Sequence, residues 1–234
     1  VNIPDSVSKI GIHAFTCCTN LTDITIPDIV TSIEPYTFIH CENLASITIS
    51  NSVTSIGESA FEHCKSLTSI TIPDSVTSIG YGAFRNCENL TNISIPNSVT
   101  SIAMLAFSDC KSLKSITIPN SITSIESCTF RYCENLTNVT IPDSVTSIRE
   151  AAFIRCTSLK SITIPDSVKL IVAWAFANCT NMDSFYCKPL NPPTIGPLFD
   201  NTIPTIYVPR ASVEAYKAAE NWSEYADRIT GYDF

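Results

Sequence analysis

Ile72-Pro73-Asp74-Ser75-Val76-Thr77-Ser78-Ile79-Gly80-Tyr81-Gly82-Ala83-Phe84-Arg85-Asn86-Cys87-Glu88-Asn89-Leu90-Thr91-Asn92-Ile93-Ser94 is a stretch of 23 residues, and residues 95–117 restate most of it. Its Phe recurs at 15, 38, 61, 84, 107, 130, 153 and 176, always 23 apart. Cys stands three residues after each Phe, from Cys18 to Cys179. Leu stands six after, from Leu21 to Leu159, with Met182 closing the column. Ile or Val fills 24, 47, 70, 93, 116, 139 and 162, and Ile fills 26, 49, 72, 95, 118, 141 and 164. Eight copies cover residues 1 to about 186. A piece this short cannot close a core by itself, so its copies must stack.

Each copy converts to geometry. I-T-I is a period-2, β-branched strand with Thr pointing away from the isoleucines. Pro, as in Pro73, then ends it, because Pro cannot donate to a ladder. P-D-S and P-N-S are turn chemistry. V-T-S-I predicts a second short extended piece. A-F-x-x-C predicts one helical turn with Phe and Cys on one face. In-register parallel strands lie ~4.8 Å apart, so eight coils span roughly 35–40 Å.

The unit resembles the leucine-rich repeat, and more narrowly its BspA-like, or Treponema pallidum-type, class. That class reads I-P-x-S-V-T-x-I-G-x-x-A-F-x-x-C-x-x-L. Ile72, Pro73, Ser75, Val76, Thr77, Ile79, Gly80, Ala83, Phe84, Cys87 and Leu90 fall on its fixed positions. The resemblance implies an α/β fold, a right-handed leucine-rich-repeat solenoid of short parallel strands with one helical turn per coil. It also implies a cell-surface or secreted protein that adheres to host or other-cell proteins.

The two ends differ. Val1-Asn2-Ile3-Pro4 aligns with Ile24-Thr25-Ile26-Pro27, so the chain opens inside a repeat and reads as a mature or truncated piece of something longer. Residues 187–234 break the period and read as a C-terminal cap. Lys188-Pro189-Leu190-Asn191-Pro192-Pro193 is a Pro-rich turn. Residues 205–208 read as a last strand and 211–220 as a helix. The apolar face of that helix continues through Trp222, Tyr225, Ala226 and Ile229. The tail also resembles the closing segment of BspA-like proteins from gut Bacteroides-type bacteria.

Composition narrows the function. The 234 residues include 14 Lys and Arg against 22 Asp and Glu, a net charge of −8. That balance argues against nucleic-acid binding, which wants a basic face. No apolar run approaches the ~20 residues that span a bilayer, so membrane insertion is not expected. Only 15% of residues are charged, where ~25% is usual; Ser, Thr and Asn take their place. No G-x-S-x-G, H-E-x-x-H, Walker loop or G-x-G-x-x-G is present. Neither catalysis nor a cofactor is expected.

The eleven cysteines suggest a disulfide scaffold until their spacing is read. Eight form one column beside the Phe column, where buried free thiols are favoured over ladder disulfides. Cys17, Cys128 and Cys187 lie off that column. The column before it reads Cys17, His40, His63, Asn86, Asp109, Tyr132, Arg155, Asn178. Cys17, His40 and His63 on successive coils are of zinc-ligand type, and Cys17 with His40 is a Cys–His pair. In-line ligands do not make a tetrahedron and nothing orients the His, so a variable solvated column is favoured.

Binding is the remaining class. The outward strand column is Thr25, Thr48, Thr71, Ser94, Thr117, Thr140 and Thr163, and this is the candidate ligand face. Beside it run Asp23, Ser46, Ser69, Asn92, Ser115, Asn138 and Ser161. Three uses are open: adhesion to a host extracellular or cell-surface protein, glycan binding, and a spacer with no ligand. Glycan binding, which wants exposed aromatics to stack on sugar rings, ranks below adhesion because the Thr face has only Tyr186 in its column. A further column alternates Glu42, Lys65, Glu88, Lys111, Glu134, giving E-N-L and K-S-L coils and a 46-residue super-period.

Overall fold

An I-T-I triplet carries its isoleucines on one face, and it makes a strand only if those isoleucines are covered. In the computed structural model, which describes residues 1–200 and 202–234, the remainder of the coil and its neighbours cover them. The triplets form strands Asp23–Thr25, Ser46–Thr48, Ser69–Thr71, Asn92–Ser94, Ser115–Thr117 and Asn138–Thr140, followed by Ser161–Ile164 and Ser184–Cys187. Paired strands are parallel and in register, Ile24 beside Ile47 and Thr25 beside Thr48. V-T-S-I makes a second series, from Ser32–Ile33 through Ser78–Ile79 to Leu170–Ile171. The molecule is a parallel-strand β-solenoid.

The A-F-x-x-C segment differs from the helical turn read in the sequence. It is a run of tight turns whose N–H groups alternate between two destinations. Around Phe84, the N–H groups of Gly82, Phe84 and Asn86 donate to carbonyls of the next coil. Those of Ala83, Arg85 and Cys87 donate three residues back within their own coil. This alternation needs a left-handed residue two before and two after each Phe. Gly82 (φ 57°) and Asn86 (φ 58°) supply it here. A helix would spend every N–H inside its own coil and leave none to hold the next one.

Inside the stack, the rings of Phe15, Phe38, Phe61, Phe84, Phe107, Phe130, Phe153 and Phe176 form one continuous file. Centroids are 5.3–5.7 Å apart and planes lie within 12° of parallel. Phe38 to Phe176 are fully buried, whereas Phe15 in the first coil is only partly covered.

The super-period is present in the backbone. The triplet strands bond in twos, Asp23–Thr25 with Ser46–Thr48, Ser69–Thr71 with Asn92–Ser94, and Ser115–Thr117 with Asn138–Thr140. Each gap follows an E-N-L coil. Lys65 reaches Glu42 (2.9 Å) across the first gap and Lys111 reaches Glu88 (3.4 Å) across the second. Exposed pairs of this kind contribute ~0–1 kcal/mol each, so they trim the register rather than hold the stack.

One junction is open on both series. Strand Asn92–Ser94 does not bond to Ser115–Thr117, and Ser101–Ile102 does not bond to Ser124–Ile125. Elsewhere Thr77, Thr100, Thr146 and Lys169 donate their N–H to the preceding coil; among the described residues no such bond joins Thr123 to Thr100. The two coils stay joined there on the turn side, where Leu105, Phe107 and Asp109 donate to Ser127, Thr129 and Arg131, and just before the triplet strands, where Ser112 and Lys114 donate to Glu88 and Thr91. The coil beyond this junction carries Ile122 where the buried column elsewhere has Val30, Val53, Val76, Val99, Val145 and Val168.

The ladder does not stop at residue 186. Thr194–Ile195 joins Leu170–Ile171, Thr205–Pro209 joins Ser184–Cys187, and Ile229–Tyr232 adds a final strand. The spacing stretches to Ile171–Ile195 and shrinks to Phe185–Ile206, so the period no longer reveals the register. The α-helix is Val213–Ala218, shorter than the 211–220 read in the sequence and preceded by the 3-10 turn Arg210–Ser212. Left-handed Asn221 (φ 63°) breaks the expected continuous face, and Trp222–Arg228 is 3-10. Tyr216 and Trp222 are fully buried. The indole Nε1 donates to the Pro193 carbonyl (2.8 Å) and the Tyr216 hydroxyl to the Pro189 carbonyl (2.6 Å). Two aromatic residues thus plug the last coil while satisfying carbonyls of the Pro-rich turn. No helix among the described residues is long and apolar enough to cross a membrane.

Candidate binding faces

The strand period settles which side chains face water. Thr25, Thr48, Thr71, Ser94, Thr117, Thr140 and Thr163 are all exposed, and so are Asp23, Ser46, Ser69, Asn92, Ser115, Asn138 and Ser161 beside them. The two columns carry hydroxyl and amide groups and a single charge, Asp23. The register brings Thr48 next to Thr25, Ser94 next to Thr71, and Thr140 next to Thr117. Cross-strand Thr pairs contribute ~0.2–1 kcal/mol, so part of this composition is accounted for by the strands themselves.

Beyond Thr163 the column changes character. Thr163 pairs with Tyr186, Tyr186 with Tyr207, and Tyr207 with Thr230. Tyr186 is therefore not the only aromatic of this column. The Tyr186 and Tyr207 rings stack at 4.7 Å, and Tyr232 sets its ring edgewise to both, at 5.3 and 5.5 Å. Sequence reasoning missed Tyr207 and Tyr232 because the shortened last coil displaces them from the 23-residue grid. The restated Ile206-Tyr207-Val208-Pro209, aligned to I-T-I-P, was the signal that carried Tyr207.

Cys17, His40 and His63 all take left-handed backbone, with φ of 57°, 60° and 62°. So do Asn86, Asp109, Tyr132, Arg155 and Asn178. His, Asn and Asp are the non-glycine residues most at home there, which explains why this column collects them. His40 stacks on His63 at 4.4 Å. Among the described residues no hydrogen bond joins His40 to Cys17, and no three His, Cys, Asp or Glu side chains come together as metal ligands. Burial first, and then the neighbouring His40, hold His63 below the usual imidazole range. The column is a backbone requirement with a polar outer surface.

Comparison with known proteins agrees with this geometry. The model of the BspA type leucine rich repeat region matches residues 1–114 and 100–202, with 6 copies. The chain belongs to the BspA-type leucine-rich repeat family. A leucine-rich repeat protein of T. pallidum is similar in structure, with a TM-score of 0.64 and 29% identity over 68% of this chain and 77% of that one. A leucine-rich repeat protein of Eubacterium ventriosum has a TM-score of 0.56 and 22% identity over 92% of this chain and 70% of its own. A leucine rich cell surface protein of Faecalibacterium prausnitzii has a TM-score of 0.49 and 27% identity over 97% of this chain and 70% of its own. No curated protein matches.

The BspA-type cysteine has a defined task in this chain. Cys87 Sγ donates to the carbonyl of Phe61 (3.2 Å), one coil back, and Cys110 Sγ to that of Phe84 (3.2 Å). Cys41, Cys64, Cys133, Cys156 and Cys179 repeat the contact on Phe15, Phe38, Phe107, Phe130 and Phe153. A thiol is small enough for the core and gives a second hydrogen bond, from the next coil, to a carbonyl that already accepts the Cys N–H of its own turn. Burial pushes these thiols up, Cys41 to about 11 and Cys179 to about 12. They are poor nucleophiles. Of the three cysteines off the column, Cys17 is exposed, Cys128 partly buried, and Cys187 buried against the Tyr216 hydroxyl (3.4 Å). BspA-type folds are repeat scaffolds, generally non-enzymatic and typical of protein-interaction surface proteins.

Proposed function

We propose that this chain is a cell-surface or secreted module that adheres to a host extracellular or cell-surface protein through its Thr face, without catalysis. The observation that carries this reading is the exposed, nearly uncharged row from Thr25 to Thr163. Such a face offers many weak polar contacts along an extended line, which is how solenoids use their surfaces. The family supports an interaction role, and surface display is what the family resemblance implies. A spacer without a ligand is the competing reading.

The test is direct. Purified chain is passed over immobilised extracellular-matrix and plasma proteins, beside the double variant Thr71→Lys/Thr117→Lys. The parent binds one protein saturably, and the variant, carrying two ammonium groups on the face, binds at least about tenfold more weakly. Equal binding by parent and variant refutes the Thr face as the contact, and no binding by the parent favours the spacer.

A further inference from the structure

The open junction parts two coils over an unbroken arc. Residues 92–103 of one coil face 115–126 of the next, about half of the 23-residue circumference, and among the described residues no backbone hydrogen bond crosses between them. At each of the other junctions between Asp23 and Ile195 at least one of the two strand series is paired. Two surface slots result. One, of about 350 Å³, lies between residues 100–104 and 122–124, and the other, also of about 350 Å³, between residues 93–95 and 117–120. Between the coils a void of about 10 Å³ touches Ile102, Ile118, Ile122, Ile125 and Phe130, at the lower limit for holding one water. The Phe file is also widest here. Phe107 and Phe130 lie 5.7 Å apart, against 5.3–5.5 Å along the rest of the file.

The other half of the same turn is bonded throughout. Leu105, Phe107 and Asp109 donate to the coil ahead, and Asn135 and Thr137 of that coil donate back to Lys111 and Lys114. Within the parted half only side chains bridge, both at the P-N-S turn between the slots: the Asn120 N–H donates to Asn97 Oδ1 (3.2 Å) and Ser121 Oγ to the Val99 carbonyl. A junction bonded along one half and parted along the other opens and shuts about the bonded half. The strand residues freed by parting stand in water, since Ser94, Thr100, Ser101, Thr117 and Thr123 are exposed. Their backbone groups exchange a protein partner for a water partner, so little free energy separates joined strands from parted ones. Joining would also fill the void behind Ile102 and Ile125. We propose that this junction is a hinge, with the coils up to Leu113 as one body and those from Ser115 onward as the other, rocking about the line where Leu105, Phe107 and Asp109 meet Ser127, Thr129 and Arg131. The hinge falls between Ser94 and Thr117, so it sets the angle between two halves of the Thr face. It stands whether or not that face binds a protein.

The experiment is nuclear magnetic resonance of the whole chain, as parent and as the double variant Ser101→Cys/Ser124→Cys. Positions 101 and 124 correspond as 124 and 147 do, where the ladder is closed and the two Ser hydroxyls lie 3.0 Å apart. In the parent, exchange broadening on the microsecond–millisecond scale is expected at Thr100, Ser101, Thr123 and Ser124, and not at Thr54, Ser55, Thr77 and Ser78 of a closed ladder. Residual dipolar couplings of the two bodies are expected to require two alignment tensors. Oxidising the variant ties the slot shut, which abolishes the broadening and leaves one tensor for both bodies. The same variant kept reduced behaves as the parent, which separates the lock from the substitutions themselves. Four results overturn the hinge: no broadening at the junction, broadening with a single tensor in the parent, broadening that survives oxidation, and a cysteine pair that does not oxidise because the slot is fixed open.

Discussion

Phe84→Ala will lower the stability of the chain by about 3–5 kcal/mol, measured by denaturant unfolding followed by circular dichroism. Phe84 is fully buried, and its ring is sandwiched by Phe61 at 5.3 Å and Phe107 at 5.5 Å. Removing it leaves a cavity that cannot collapse, because the coils on either side are held by their own ladders. Phe107→Ala shares the expectation. Phe15→Ala is the internal control: its ring is stacked on one side only and partly exposed, so its loss costs less. An unchanged midpoint in Phe84→Ala would mean that the Phe file is not the core of the stack.

The second large effect is alkaline. Seven ladder thiols are held protonated by burial, Cys41 to about 11, Cys179 to about 12 and the others well above the ordinary value of 9.0. The unfolded chain releases those protons near the ordinary value and the folded chain keeps them. Above that point the unfolded state binds fewer protons, so stability falls as pH rises. Below it the thiols contribute their full stabilisation, and they add no slope between about pH 6 and 8. The unfolding midpoint, followed from pH 7 upward, is therefore level and then declines beyond about pH 9. The double variant Cys87→Ala/Cys110→Ala starts lower but declines less steeply, because two of the responsible protons are gone. An equal slope in parent and variant would assign the alkaline loss to other groups.

Much of this molecule is legible in its residues because one rule repeats. Phe at 23-residue intervals, with Cys three later and Leu six later, gives coil length, core columns and strand register together. The Thr face follows from strand alternation alone. What could not be read depends on backbone conformation and on departures from the period. A-F-x-x-C has helical spacing, yet every second N–H goes to the next coil; the collection of His40, His63, Asn86, Asp109 and Asn178 in one column was the trace of the left-handed backbone behind this. The tyrosine cluster escaped because Phe185 pairs with Ile206 instead of with a residue 23 further on. The open junction left no mark on the 23-residue period, which runs through it unchanged.

The central claim is that bonds from coil to coil carry the fold, and residue-resolved hydrogen exchange of the native chain tests it most directly. The N–H groups of Phe38, Phe61, Phe84, Phe107, Phe130 and Phe153 each donate to the following coil, and those of Thr77, Thr100, Thr146 and Lys169 to the preceding one. All of these amides are predicted to exchange slowly, and Thr123, at the open junction, much faster than its counterparts Thr100 and Thr146. Rapid exchange along the Phe column, or a Thr123 amide as protected as those of Thr100 and Thr146, would contradict the account.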